Sequence, residues 1–139
     1  MRAFGFYLEK NDAKRVSKDP ELARSLVKDM EGRITKALTL NIEDFAKIFF
    51  ENIYDSLREF CDALLALDGY KSYSHQASIT YLKEYGFSEE FIARLDMFRY
   101  KRNGSKYYGK EISPEEAESI KEFYLRNMTK IKKITKESF

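Results

Sequence analysis

The sequence is poor in the residues that build disulfides, histidine sites and tight turns. Its 139 residues include one Cys, one His, two Pro, six Gly and no Trp. A single Cys excludes an intramolecular disulfide and a zinc site made of several cysteines, and a single His excludes a site that needs two histidines from one chain. Because Pro and Gly are scarce, a sandwich or barrel with frequent turns is disfavoured and long helices are favoured.

Long apolar runs are also missing. No segment approaches the roughly 18 apolar residues that span a bilayer, and the apolar start at residues 1–7 is too short for a signal peptide. We therefore expect a soluble cytoplasmic protein of one domain. Its net charge of +2, from 25 basic and 23 acidic side chains, argues against a general polyanion binder, so any nucleic-acid site must be a local patch.

Two long helices are predicted in the first half of the chain. Asp19-Pro20-Glu21 has the features of a helix start, namely an N-cap, a Pro in the first turn and an acid near the positive helix end. This helix should end near Leu38. A second helix should begin after Asn41 and stop at Asp68-Gly69. Its apolar residues repeat at helical spacing: Ile42, Ala46, Phe49, Ile53, Leu57, Phe60 and Leu64.

Three further helix starts follow, each at a serine that can cap a first turn: Ser72 or Ser74, Ser88, and Ser113 in the capping box Ser113-Pro114-Glu115-Glu116. The sequence therefore predicts an all-α, single-domain bundle of four to five helices with an up-and-down-like arrangement over residues 19–139. Residues 1–18 are weakly patterned, and we assign them only as an N-terminal segment of uncertain structure.

Positive charge is concentrated between Arg94 and Lys110. This segment carries six basic side chains and one acid, which gives +5, so the remainder of the chain carries −3. Cations that hold phosphates beside rings that stack on bases are typical of proteins that bind RNA or single strands. A solvated, charged helix end followed by a loop is the alternative interpretation. The aromatic residues interleaved with the charges are Phe98, Tyr100, Tyr107 and Tyr108.

Arg102 falls on the apolar face of the predicted fourth helix. Counted from Phe91, that face passes through Leu95 and Phe98 and reaches Arg102 one turn later. An Arg in this position is costly to bury unless it is paired or lies at an interface or cleft, so we expect it in a pocket or interface. Asn103-Gly104, directly after it, predicts a turn or a helix distortion.

Carboxylates follow one edge of the second helix at Asp55, Glu59 and Asp62. The simplest interpretation is a solvated polar edge. If one of these carboxylates has a functional role, we expect Glu59 or Asp62 to pair with Arg102 and orient it. A di-metal carboxylate site requires Glu-x-x-His pairs from two helices, which one His cannot supply. The sequence also has no phosphate-binding Gly-rich loop and no zinc-binding His pair, so it predicts neither a metal nor another cofactor.

The segment Arg102-Asn103-Gly104-Ser105-Lys106-Tyr107-Tyr108-Gly109 resembles the signature of the prokaryotic HEPN domains. In that family an Arg, often followed by a polar residue such as Asn, precedes a His by a few positions, often with a Tyr nearby. Upstream, residues 53–58 and 63–75 are similar to the family's central helix and the turn after it. The resemblance covers residues 20–135.

The resemblance implies a small helical bundle, usually a homodimer, and in many members a metal-independent ribonuclease or toxin. It implies that Arg102 holds the phosphate, that Asn103 supports this geometry, and that Tyr107 or Tyr108 supplies a hydroxyl at the site. HEPN proteins often partner with small nucleotidyltransferases, as toxin and antitoxin or as an accessory subunit. The basic neighbours that would widen the phosphate contact are Arg99, Lys101 and Lys106.

The sequence departs from the family at Tyr107, which stands where the family has His. The ordinary pKa is about 10 for Tyr and about 6.5 for His, so holding a phenolate at neutral pH costs about 4 kcal/mol unless the site lowers it. A Tyr is therefore a poor general base, although it donates hydrogen bonds and serves as an acid. His75 is the second candidate for proton transfer, with a surface or capping role as its alternative. Cys61 is expected to be a buried hydrophobe.

Two functions are consistent with these features. The first is a dimeric HEPN-like protein that binds RNA or a nucleotide, with metal-independent ribonuclease activity of the toxin type left open. The alternative is a non-catalytic interaction module, for example the accessory partner of a small nucleotidyltransferase, in which Arg102 stabilises an interface. The C-terminal lysines either complement the helix dipole or extend a phosphate-binding surface. They are Lys130, Lys132, Lys133 and Lys136.

Overall fold

The computed structural model describes residues 1–139, and it is an all-α bundle with one small sheet. In chain order the elements are α1 (Phe4–Glu9), β1 (Ala13–Arg15), α2 (Pro20–Ala37), α3 (Ile42–Asp68), β2 (Tyr70–Ser72), α4 (His75–Thr80), a 3₁₀ helix (Tyr81–Tyr85), α5 (Glu89–Tyr108) and α6 (Pro114–Ser138). The predicted fold class is confirmed, with six α-helices in place of four to five. None of the helices combines the length and apolar composition that crossing a membrane requires.

Helix α3 is the centre of the bundle. Thirteen of its 27 residues are buried, because neighbours cover it on several sides. Helices α2 and α6 pack along it, and α4 and α5 also contact it. Phe50 of α3 meets Phe98 of α5 edge to face, with ring centroids 5.9 Å apart, which holds α5 against the centre.

The helix starts lie where the polar caps predicted them. Asp19 accepts from the Leu22 N–H at 3.0 Å, and Ser74, rather than Ser72, accepts from the Ala77 N–H at 3.3 Å to start α4. At α6, Ser113 and Glu116 exchange hydrogen bonds of 3.1 Å, which completes the predicted capping box. Corresponding caps start α3 and α5 at Asn41 and Ser88.

The N-terminal segment is ordered on the bundle, which the sequence left unassigned. Strand β1 pairs antiparallel with β2, so that Ala13 faces Ser72 and Arg15 faces Tyr70. Thr80 donates a hydrogen bond of 2.8 Å to the Arg2 carbonyl. Phe4, Tyr7 and Ala13 are buried in the core, so residues 1–18 belong to the same folded unit.

The prediction of a turn or distortion at Asn103-Gly104 is wrong. Helix α5 continues through this pair to Tyr108 and ends at Gly109, whose φ of 65° is left-handed. Arg102 and Ser105, on either side of the pair, are both buried, so packing against the bundle holds the last turns helical. This packing outweighs the low helix propensity of Gly, which costs about 1 kcal/mol relative to Ala.

Candidate functional site

Arg102 is buried and paired with Asp55 of α3. Its Nη2 lies 3.0 Å from Oδ1 of Asp55 and donates to Oδ2 at 3.3 Å. The expectation that Glu59 or Asp62 would be the partner is wrong. Glu59 is instead paired with Arg33, and Asp62 is paired with Arg58. Pairing with a carboxylate offsets the cost of burying the guanidinium.

A second arginine extends this pair into a network. Arg33 of α2 lies 3.3 Å from Asp29, 3.2 Å from Glu59 and 3.9 Å from Asp55. Two guanidiniums and three carboxylates leave an excess of one negative charge, which one bound proton removes. Burial and the hydrogen bond with Asp29 raise the pKa of Glu59 to about 8, and that same bond lowers the pKa of Asp29. The proton is therefore held on Glu59 at neutral pH.

The charge state of Arg102 is fixed by its partners. Burial by itself would lower the pKa of its guanidinium, but Asp55 and, to a smaller degree, the Tyr107 hydroxyl raise it above the ordinary value. Its Nε is buried with no hydrogen-bond partner. The structure thus places Tyr107 near Arg102, as the motif predicted, while the main ligand of the arginine is a carboxylate of its own chain.

His75 lies at the start of α4 beside Tyr54 of α3. The two rings stack at an interplanar angle of 12°, and the Tyr54 hydroxyl lies 3.1 Å from Nδ1 of His75. Burial raises the pKa of Tyr54, so its phenol stays protonated. Because the hydroxyl has no other acceptor, we assign it as the donor to Nδ1, which leaves the proton of the neutral imidazole on Nε2.

Three arginines act on His75 from neighbouring helices. Burial first, then the positive charges of Arg58, Arg102 and Arg99, lower the pKa of His75 to about 4. Each arginine has its own aspartate: Arg58 lies 3.4 Å from Asp62, Arg99 lies 2.7 Å from Asp96, and Arg102 is held by Asp55. His75 at neutral pH is consequently an uncharged hydrogen-bond donor, and it is a weak base. The structure brings His75, Arg99 and Arg102 to one region, as a common site requires.

An open cleft of about 370 Å³ lies over the end of α5 and the start of α6. We call it the α5 cleft; its α5 lining residues include Arg99, Tyr100, Lys101, Asn103, Tyr107 and Tyr108. The three tyrosines are exposed by 69%, 63% and 78%, respectively, so their ring faces are free for a ligand. Five of the eight residues predicted for the site from sequence therefore line one cleft, namely Arg99, Lys101, Asn103, Tyr107 and Tyr108. Lys106, Arg102 and His75 do not line it, and Arg102 is buried.

The cations of the α5 cleft are of two kinds. Arg99 is paired with Asp96, and Lys101 donates to Glu116 of α6 at 2.9 Å. Lys106 and Lys110 take part in no ion pair and are exposed. The Lys106 ammonium lies 5.6 Å from the centre of the Tyr107 ring. Lys110, which lines the cleft, and Lys106, which lies beside the Tyr107 ring, thus supply unpaired positive charge next to the exposed rings.

Cys61 is fully buried in the core, as expected. Burial, followed by the charge of Asp62, raises the pKa of its thiol well above the ordinary value. A thiol that stays protonated in an apolar setting is not a nucleophile.

Sequence reasoning missed Tyr54, Arg58 and Arg33, which fix the charge states of the predicted residues. Arg58 and Arg33 carried a weak signal, because each is a cation one turn from a carboxylate on its own helix, Asp62 and Asp29. Comparison with protein-family models, curated proteins and solved structures found no significant match to this chain. The resemblance to HEPN domains therefore stays a prediction.

Proposed function

We propose that this protein is a HEPN-like RNA-binding protein that holds single-stranded RNA in the α5 cleft. The observation that carries the proposal is the exposure of three tyrosine rings along one cleft, next to two lysines that have no ion-pair partner. A tyrosine that only filled space would be covered, and an exposed ring of this size has a large apolar face for a partner to cover.

Each group in the cleft has a distinct role in this proposal. Bases stack on Tyr107 and Tyr108, because every base has a π-face and stacking tolerates any sequence. Lys106 and Lys110 contact the phosphates as mobile point charges. Asn103, half-buried at the cleft wall, supplies an amide for base edges or the 2′-hydroxyl.

The same geometry favours binding over cleavage. Metal-independent cleavage requires a base that removes the proton from the attacking 2′-hydroxyl. His75 has a pKa of about 4 and carries its proton on Nε2, with Nδ1 occupied by Tyr54, so it has no free lone pair for this step. Arg102 is already engaged by Asp55, which competes with any phosphate. We therefore assign the cleft a holding function.

The decisive experiment measures binding of a labelled single-stranded RNA in excess chelator. Tyr107→Leu and Tyr108→Leu are each expected to weaken binding about tenfold, since one stacked base contributes about 1–3 kcal/mol. Tyr73→Leu is the matched control, because Tyr73 is also exposed, by 55%, but lies outside the cleft. The RNA should stay intact throughout.

Three results would contradict the proposal. Equal losses in the Tyr107, Tyr108 and Tyr73 variants would mean that the cleft is not the site. Cleavage that resists the chelator and is lost in Tyr107→Leu would establish a ribonuclease in place of a holding protein. Absence of binding at low salt would favour the non-catalytic interaction module. Arg102→Ala is unsuitable here, because this side chain is part of the packed interior.

A homodimer completes the proposal. Phe45 and Ile48 of α3 are exposed by 45% and 50% and lie one turn apart. Ile48 lies two helical turns before Asp55 on the same edge of α3, so a second copy packed here would lie beside the arginine network. We propose that this exposed apolar pair lies at the centre of the dimer contact.

A further inference from the structure

A second basic groove lies between the first half of α2 and the end of α6. Its volume is about 690 Å³, larger than that of the α5 cleft. Arg24 and Lys28 line one wall from α2, and Lys132 and Lys136 line the other from α6. We infer that this α2–α6 groove binds the phosphate backbone of single-stranded RNA. The inference deepens the proposed function, because it gives the same ligand a second contact surface.

The cations of this groove outnumber its acidic side chains. All four cations are exposed, and none takes part in any of the ion pairs of the structure. Glu31 is the one acidic side chain that lines the groove. Arg99 and Arg102 of α5 differ in this respect, since each is paired with an aspartate. A folded protein that leaves four cations facing one another across a groove creates a strong site for an anion.

The spacing of the cations fits a polymer of phosphates. Arg24 and Lys28 are four residues apart on α2, as are Lys132 and Lys136 on α6, so each pair is separated by about 6 Å along its helix. This separation is close to that of neighbouring phosphates in an extended strand. The two pairs line the groove from different helices, so a strand that lies between them would place its phosphates within reach of cations on both walls.

The remaining lining favours a nucleic acid over a protein partner. Protein interfaces rely on a buried centre of aromatic and aliphatic anchors. The groove has Val27, which is already buried, and the half-buried Phe139 as its apolar members, and Thr135 adds a hydroxyl. Contacts here are therefore dominated by charge, which is typical of backbone binding without sequence preference.

The two surfaces are far apart on the molecule. Glu116 of α6 lines the α5 cleft and Lys132 of α6 lines the groove, so they are about 24 Å apart along the helix. An RNA of about 4 nucleotides is too short to occupy both surfaces, whereas one of about 16 nucleotides is long enough. RNA length thus separates the contribution of the groove from that of the cleft.

The test compares short and long single-stranded RNA bound to the full chain. The groove variant is Lys132→Gln/Lys136→Gln, and Arg24→Gln/Lys28→Gln repeats it from the opposite wall. Lys121→Gln/Lys133→Gln is the control, because it removes the same charge from α6 outside the groove. Each groove variant should weaken binding of the long RNA about tenfold and reduce the slope of log affinity against log salt by about 1.4, since each phosphate contact on a single strand contributes about 0.7.

Binding of the short RNA should not change in the groove variants. Equal effects of groove and control variants on the long RNA would overturn the inference. So would a groove variant that loses binding of a poly-glutamate peptide but retains that of RNA, because the ligand would then be an acidic protein. If the wild type fails to bind the short RNA but the long RNA still depends on the groove, the proposed function of the α5 cleft fails while the groove stands.

Discussion

At the scale of residues, the pair formed by Arg102 and Asp55 links the candidate site to stability. The side chain of Arg102 is 8% exposed and that of Asp55 is 28% exposed, so the two partners do not lose equally when the pair is broken. Without its carboxylate, the guanidinium remains as a charge in the interior. Without its arginine, the carboxylate keeps water and Arg33 nearby.

Breaking the pair from the two sides should therefore have different costs. Asp55→Asn is expected to lower the free energy of unfolding by about 2–4 kcal/mol, and Arg102→Met by about half of that. Urea denaturation measures both, with Glu51→Gln on the same helix as the control. Equal losses of unfolding free energy in the two variants would show that Arg102 and Asp55 are equally exposed to water.

The titration of Glu59 and His75 predicts how stability depends on pH. The pKa of Glu59 is raised from its ordinary 4.5 to about 8, so the folded state holds more protons and stability falls as pH rises from 4.5 to 8. The pKa of His75 is lowered from 6.5 to about 4, so its contribution is complete above pH 6.5 and is lost as pH falls toward 4.

The free energy of unfolding, measured from pH 5 to 8.5, separates the contribution of Glu59 from that of His75. The wild type should lose stability between pH 6.5 and 8, where of these two groups only Glu59 titrates. Glu59→Gln should flatten this part of the profile, while His75→Gln should change it only below pH 6.5. A wild-type profile that is level above pH 6.5 would mean that Glu59 is ionised beside Arg33.

The residue types of the site could be predicted from sequence, but their pairing could not. Helical phase placed Arg102 on the apolar face and predicted a pocket or interface position, and the structure buries it within its own chain. Asp55, Glu59 and Asp62 lie on one edge of α3, and the rotation of α5 against α3 decides which of them is met. That rotation follows from side-chain packing, such as the contact between Phe50 and Phe98, which a single sequence does not specify.

At the scale of elements, local signals predicted the helices and failed for the sheet. The caps at Asp19, Ser88 and Ser113 act within one turn, so the sequence next to them is sufficient. Strands β1 and β2 have three residues each, which is too short for an alternating pattern to appear. Their pairing joins residues that are far apart in the chain, and it becomes visible only once α3 brings them together.

Gly69, between α3 and β2, lies directly against the N-terminal segment, so a side chain added here would disturb the pairing of β1 with β2. Its φ is 88°, and a Cβ at this position would lie 2.9 Å from the Val16 carbonyl oxygen. Gly69→Ala is expected to cost about 2–3 kcal/mol, because left-handed strain and a backbone clash add. Gly109→Ala is the control, since Gly109 has a φ of 65° with no atom within 4 Å of such a Cβ, and it should cost about 1 kcal/mol.

Thermal or urea unfolding of the two glycine variants measures this difference. The expected order is a larger loss for Gly69→Ala, with the attachment of residues 1–18 weakened. Equal losses would show that the N-terminal segment moves away from Gly69 at little cost, and that β1 contributes little to the fold.

At the scale of the whole molecule, the proposed homodimer requires the exposed apolar edge of α3. Sedimentation at micromolar concentration should give the mass of two chains for the wild type and of one chain for Ile48→Asp, because a buried unpaired carboxylate is costly. Leu125→Asp on α6 is a matched control, since Leu125 is exposed by 43% on another helix. A wild type that is strictly monomeric would contradict the proposed homodimer.

The most direct test of RNA binding in the α5 cleft is the position of a photo-crosslink. A single-stranded RNA that contains a photoreactive uridine is irradiated on the wild-type chain, and the crosslinked residues are identified by mass spectrometry. We predict crosslinks at Tyr107 or Tyr108, whose exposed rings lie at the cleft. Crosslinks confined to other surfaces, with none on the last two turns of α5, would contradict this prediction.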